Sequence, residues 1–291
     1  MTFALVTTHS DPHRAAFESK IARGVYRCLI APIGANWHPV GVQKELDECL
    51  ASGQRACVWS TISEAEVQAK GLPAAVDMKH VAELAAMLFA HGAPVLMHLL
   101  YEGLRWAKYG VTAKQFTDTF DAIENLMPNN VTVECSMEPG STLTSIDDAE
   151  LPDWLAPRAQ AVSGHVFGPL TLTANSANNK RIKLWFTIGR IRKLPLVIGE
   201  TAFGPTIGDV SNADIVNPWL GKLFKFAVTE KVGAVTLLNN LAGSDFVAEC
   251  PKAVAFVNKK FKADGVLVGA PLIAVPAGGA TSVGPVTVAD V

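Results

Sequence analysis

Pro94–Gly103, PVLMHLLYEG, is an apolar run opened by a proline and closed by a carboxylate and a glycine. One polar residue, His98, interrupts it, so it reads as a parallel strand covered on both faces rather than a strand with one wet side. Upstream, Met78 to Ala90 carries apolar residues at helical spacing (Met78, Val81, Leu84, Ala85, Leu88, Phe89), with Asp77 as cap and Gly92 and Pro94 closing the unit. A helix feeding a buried strand is the unit of an α/β fold.

The same unit recurs along the chain. Strands are expected at Phe3–Thr7, Tyr26–Ile33, Ala56–Thr61, Val95–Tyr101, Val131–Met137, Ala161–Phe167, Leu196–Gly199 and Ala234–Leu238. Helices are expected at Pro12–Ala22, at Val42–Ala51 with Val42, Leu46, Cys49 and Leu50 inward, and after Thr112 with Phe116, Phe120 and Ile123 inward. A short helical piece near Trp154 precedes helices at Lys180–Arg192 and Pro218–Lys231, and a last one aligns Val247, Cys250, Val254, Val257 and Phe261. Eight strand and helix rounds predict one (β/α)8 barrel over residues 1–264, where an open doubly wound sheet would stop earlier. Residues 265–291 hold one charge, Asp290, and are expected to be an extended apolar tail that lies on its own barrel or docks on a partner chain.

Composition narrows the function classes. Apolar residues make up 49% and charged ones 18%, enough for a large core, and Lys plus Arg is 25 against 27 acidic residues, which gives no field for nucleic acid or an anionic membrane. No phosphate-binding glycine motif and no G-x-S-x-G elbow occurs. The start, MTFALVTTHSDPH, has no signal-peptide pattern and no stretch is long enough for a membrane span, so the expected setting is a phage virion or otherwise the cytoplasm. The five cysteines, Cys28, Cys49, Cys57, Cys135 and Cys250, follow no disulfide or zinc spacing and read as reduced core residues. Seven histidines show neither H-x-H nor H-E-x-x-H, so neither a metal nor a cofactor is expected.

In a barrel the site forms where strands end, and two strands end in glutamate. Glu102 closes the strand quoted first, and Glu200 closes LPLVIGETAFG at residues 194–204. By parity, Leu96, His98 and Leu100, and Leu196 and Ile198, would line the interior and put both carboxylates at the mouth. Two such carboxyls suit retaining glycoside hydrolysis, one as proton donor and one as nucleophile. Trp37 and His38, Trp59, Arg105, Trp106 and Tyr109 are candidate sugar contacts, with Glu134 and Glu138 as further carboxylates at the mouth. An aldolase or isomerase reading lacks a buried strand lysine and a phosphate loop.

The segment Gly71–Trp106, GLPAAVDMKHVAELAAMLFAHGAPVLMHLLYEGLRW, resembles the central segment of family-26 glycoside hydrolases, the β-mannanase-like members of clan A, and LPLVIGETAFG resembles the clan's nucleophile strand. The resemblance implies Glu102 as acid/base and Glu200 as nucleophile. It also marks departures. Where the family has His before the acid/base and Arg four residues before it, this chain has Tyr101 and His98. The tyrosine expected after strand six is replaced within SGHVFGP, where Phe167 has no hydroxyl and His165 is the nearest polar group; strand eight ends in Asn239 and Asn240.

The expectation is therefore a glycosidase-like barrel that binds a polysaccharide or cell-surface glycan and cleaves it through Glu102 and Glu200. Trp37, His38, Trp59, His98, Tyr101, Arg105, Trp106, Glu138, His165 and Asn239 are its substrate contacts. The alternative is a catalytically reduced recognition protein. A phage tail would bring either to its glycan, with the C-terminal tail contacting other virion proteins.

Overall fold

The computed structural model describes residues 2–6, 26–137, 146–167, 177–202, 213–238, 240–241 and 244–245, with single helical positions at 252, 255 and 259. Eight strands, β1 (Thr2–Val6), β2 (Tyr26–Pro32), β3 (Arg55–Thr61), β4 (Val95–Leu99), β5 (Val131–Met137), β6 (Ala161–Phe167), β7 (Leu196–Ala202) and β8 (Ala234–Leu238), form one sheet. Its order is β1-β8-β7-β6-β5-β4-β3-β2, every ladder is parallel, and the two ends, β1 and β2, come back beside each other. This is the (β/α)8 barrel. A two-stranded antiparallel pair, β9 (Asn240–Leu241) and β10 (Ser244–Asp245), follows β8. Among the described residues no helix is long and apolar enough to cross a membrane. The expected first and last helices, the tail 265–291, Cys250, Glu138 and Asn239 lie outside the described residues.

Local chemistry explains the helices on the outside. Helix α1 (Pro39–Ser52) starts with proline in its first turn, ends at Gly53 in the left-handed region, and buries Val42, Leu46 and Cys49. Its Leu50, expected inward, is half exposed. Between β3 and the next long helix lie two short helices, α2 (Glu64–Lys70), capped by Ser63, and α3 (Leu72–Ala75), neither of which the spacing had announced. Helix α4 (Met78–His91) is capped by Asp77, which accepts from Lys79 N, and buries Val81, Leu84, Ala85 and Leu88. Met78 and Phe89, expected in that stripe, are exposed near its two ends. Helix α5 (Ala113–Glu124) opens with a Thr112–Gln115 capping box and buries Phe116, Phe120 and Ile123.

Helix α6 (Ala177–Ile191) fixes which faces of β6 and β7 look outward. A Cβ on its Gly189 would lie 2.9 Å from Leu196 and 3.1 Å from Val162, and one on Gly164 would lie 3.3 Å from Phe186. Val162, Gly164 and Leu196 therefore face the helix, and Ile198, in register with Gly164, shares their face. The expectation that Leu196 and Ile198 line the interior is corrected accordingly. Helix α7 (Ala213–Thr229) then leads into β8.

Candidate active site

The mouth of the barrel is built where β4 stops early. The strand expected to reach Tyr101 ends at Leu99 because Leu100 turns into the left-handed region at φ 51°, and Glu102 does so again at φ 59°. Each such non-glycine residue costs about 1–2 kcal/mol of backbone strain. The chain then enters a 3-10 turn at Gly103–Tyr109, and Glu102 ends up buried, 8% exposed. One Glu102 oxygen is ion-paired to Arg105, which also pairs with Glu64 of α2. Glu64 takes the Tyr109 hydroxyl as well and has Lys108 at 3.5 Å. The other Glu102 oxygen lies 3.8 Å from His165 Nδ1. His165 Nε2 is 2.8 Å from Ser136 Oγ of β5, and burial holds this imidazole below its ordinary pKa even against the hydrogen bond and charge of Glu102.

Glu200 is positioned by an irregularity. Ile198 is paired with Gly164 and Glu200 with His165, so Gly199 is an extra residue on β7, and the ladder to β8 shifts at the same place. Such a bulge resets the alternation of the strand. Ser163 and His165 face inward, and a Cβ on Gly199 would meet Ser163 at 3.0 Å and His98 at 3.1 Å. Glu200 thus occupies the register position beside inward-facing His165, by way of the bulge rather than the simple parity assumed above.

Below the mouth a polar cluster fills the barrel. His98 Nδ1 is ion-paired to Glu134, its in-register neighbour on β5, and Nε2 lies 3.1 Å from Cys57 Sγ on β3; all three are fully buried. Burial alone would lower the His98 pKa, but Glu134 and Cys57 raise it well above its ordinary value. Burial would raise the Cys57 thiol, yet a hydrogen bond from Cys28 and the charge and hydrogen bond of His98 bring it down to about 6. Two readings are corrected here. Glu134 is not a carboxylate at the mouth, and His98 is buried inside the barrel rather than lining a cleft.

The aromatic candidates divide. Tyr101 stacks on Trp59 at 5.1 Å and lies 5.0 Å from His165, while Trp59 meets His98 edge-on at 5.9 Å. They form a wall leading from the buried cluster to Glu102, with Trp59 itself only 6% exposed. Trp37 is turned to α4, hydrogen-bonded to Glu83 at 2.7 Å and stacked on His80, and His38 is exposed at the start of α1. Trp106 is buried in the core with Nε1 3.4 Å from the Leu100 carbonyl, so its faces offer no sugar platform. Sequence reasoning missed Ser136, Cys57 and Glu64. Their signal was weak: Ser136 and Cys57 are single polar residues whose partners are set by the packing of strands, and Glu64 sits on a short helix and meets a turn far along the chain. Among the described residues no group of His, Cys, Asp and Glu is arranged to hold a metal.

The fold and the polar mouth define a (β/α)8 barrel with a glutamate beyond β4 and another on β7. Among solved structures it is similar to a Cellulomonas fimi endo-beta-1,4-mannanase double mutant, with a TM-score of 0.61 and 12% identity over 91% of this chain and 71% of that chain. A GH113 beta-1,4-mannanase matches with a TM-score of 0.61 and 9% identity over 90% of this chain and 100% of that chain. A GH30 endoxylanase from Clostridium papyrosolvens matches at 0.55 and 12% identity over 90% and 72%. No family model and no curated protein matches the sequence. At these identities the likeness is one of fold.

Proposed function

We propose that the protein is a glycan-acting barrel that hydrolyses a polysaccharide by a retaining double displacement, with Glu102 as acid/base and Glu200 as nucleophile. The observation that supports this is placement: a buried Glu102 directly beyond β4, and a bulge on β7 that brings Glu200 into backbone register with His165. The solved mannanases and endoxylanase share the fold. Glu200 would attack the anomeric carbon while Glu102 delivers a proton to the departing oxygen, and Glu102 would then deprotonate the water that releases the sugar. Tyr101, backed by the buried Trp59, supplies the aromatic face. The proposed setting is a phage tail acting on a host cell surface, with residues 265–291 docking on a neighbouring virion protein; their near absence of charge supports that part.

A second reading, recognition without turnover, is favoured by the Arg105 ion pair, which occupies one Glu102 oxygen and is itself tied to Glu64. The test is a panel of mannans, xylans, glucans and arabinogalactan-type cell walls offered to wild type, Glu102→Gln and Glu200→Gln. Hydrolysis by wild type that falls about 10²–10⁴-fold in the variants supports the enzyme. Binding of one glycan by all three proteins without product supports recognition. Carboxyl groups held more than about 10 Å apart in a crystal structure would end the two-carboxylate mechanism.

A further inference from the structure

The buried cluster under the mouth takes no part in the glycan chemistry, yet it has the connectivity of an activated nucleophile. A thiol faces one imidazole nitrogen at 3.1 Å and a carboxylate holds the other. A second thiol stands next to it. Cys28 on β2 is the in-register partner of Cys57 on β3, and a side-chain hydrogen bond with it lowers the Cys57 thiol. In-register neighbours on adjacent strands have backbones about 4.8 Å apart, inside the roughly 4.4–6.8 Å Cα range of disulfides. We propose that Cys57 is a redox-modification site: hydrogen peroxide oxidises its thiolate, and Cys28 resolves the product into an intramolecular Cys28–Cys57 disulfide.

The step balances. Cys57 sulfur attacks the peroxide, an S–O bond forms, the O–O bond breaks, and hydroxide leaves and takes the proton of the His98 imidazolium to become water. Cys57 sulfur has lost two electrons to peroxide and is a sulfenic acid. Cys28 sulfur then attacks it, the S–S bond forms, the S–O bond breaks, and the hydroxyl leaves as water with the Cys28 proton. His98 is left as the neutral imidazole, and Glu134 keeps it oriented throughout.

The molecule contains its own control. Cys135 is as deeply buried, but it faces the Trp154 carbonyl at 3.6 Å, and burial pushes its thiol up to about 12. Cys57, lowered and paired with His98, is therefore expected to oxidise faster than Cys135, whose thiol is raised and faces a carbonyl instead of an imidazole.

The full chain is treated with hydrogen peroxide, its remaining thiols are alkylated after unfolding, and its peptides are mapped by mass spectrometry. A Cys28–Cys57 linked peptide that forms while Cys49 and Cys135 stay reduced is the expected result. Cys28→Ser should stop the reaction at a sulfenic acid on Cys57 that dimedone captures, and the near-isosteric Glu134→Gln should slow it at least about tenfold, since losing the carboxylate weakens the imidazolium that holds the thiolate. Cys57 oxidising no faster than Cys135 in the folded wild type, or no dimedone adduct in folded Cys28→Ser, overturns the proposal. Neither readout depends on whether any glycan is cleaved.

Discussion

His98 pairs with Glu134 because β4 and β5 set them in register, and it reaches Cys57 because β3 pairs Trp59 beside it and leaves Cys57 two residues back on the same face. None of this is visible in the sequence, where each is a lone polar residue in an apolar run; the partnership exists only once three strands have their register. The pair has a pH signature. His98 is raised in the fold, so its contribution is complete below its ordinary 6.5 and is lost as pH rises through the folded value. Cys57 is lowered, so its contribution is complete above its ordinary 9.0 and is lost as pH falls through about 6. The opposing slopes offset each other in the wild type. Cys57→Ser removes the second together with the part of the His98 shift that Cys57 sustains, so the stability gap between wild type and variant should change with pH between about 6 and 9 in urea unfolding. A gap independent of pH would mean that Cys57 is an ordinary thiol in the fold.

At the scale of elements, the sequence was most legible where a strand is buried on both faces. The bounds expected for the strands at Val131–Met137, Ala161–Phe167 and Ala234–Leu238 coincide with β5, β6 and β8. It was least legible where the chain breaks its own regularity. The left-handed Leu100 and Glu102 and the bulge at Gly199 depend on tertiary packing that overrides local preference, and all three lie at the candidate site, the place where local rules are expected to fail. The short α2 escaped notice because its seven residues bury only Val67, yet it supplies Glu64 to the Arg105 network. The turn beyond Glu102 also carries a test. A Cβ on Gly103 would lie 2.6 Å from Phe116 on α5 and 3.0 Å from the Ser136 carbonyl, and neither the close-packed ring nor the strand backbone can yield cheaply. Gly103→Ala should destabilise by about 1–3 kcal/mol and push Glu102 away from His165. Glycan binding or turnover should therefore fall more than the stability loss explains, measured at a temperature where the variant remains folded. Unchanged binding and activity would separate Glu102 placement from this packing.

For the whole molecule, the barrel accounts for its own closure. The eight strands of the barrel sheet lie within residues 2–238, and the ladder between β1 and β8 ties the first of them to the last. A parallel barrel covered by helices leaves few sites for charge, which explains why only 18% of residues are charged. The same argument does not cover the C-terminal stretch. Its Val, Leu and Ile residues would cost about 25 cal/mol for each Å² of apolar surface left in water, so the proposed docking on a neighbouring chain has a driving force. Ending the chain after Asp264 separates the two contributions. Thermal unfolding should stay within about 2 °C of the full chain, since all eight barrel strands are retained. Association with a second copy or with a virion protein, read by light scattering and sedimentation, should disappear. A large drop in melting temperature with association unchanged would place residues 265–291 on their own barrel instead, and unchanged behaviour in both measurements would remove the docking arm from the proposal.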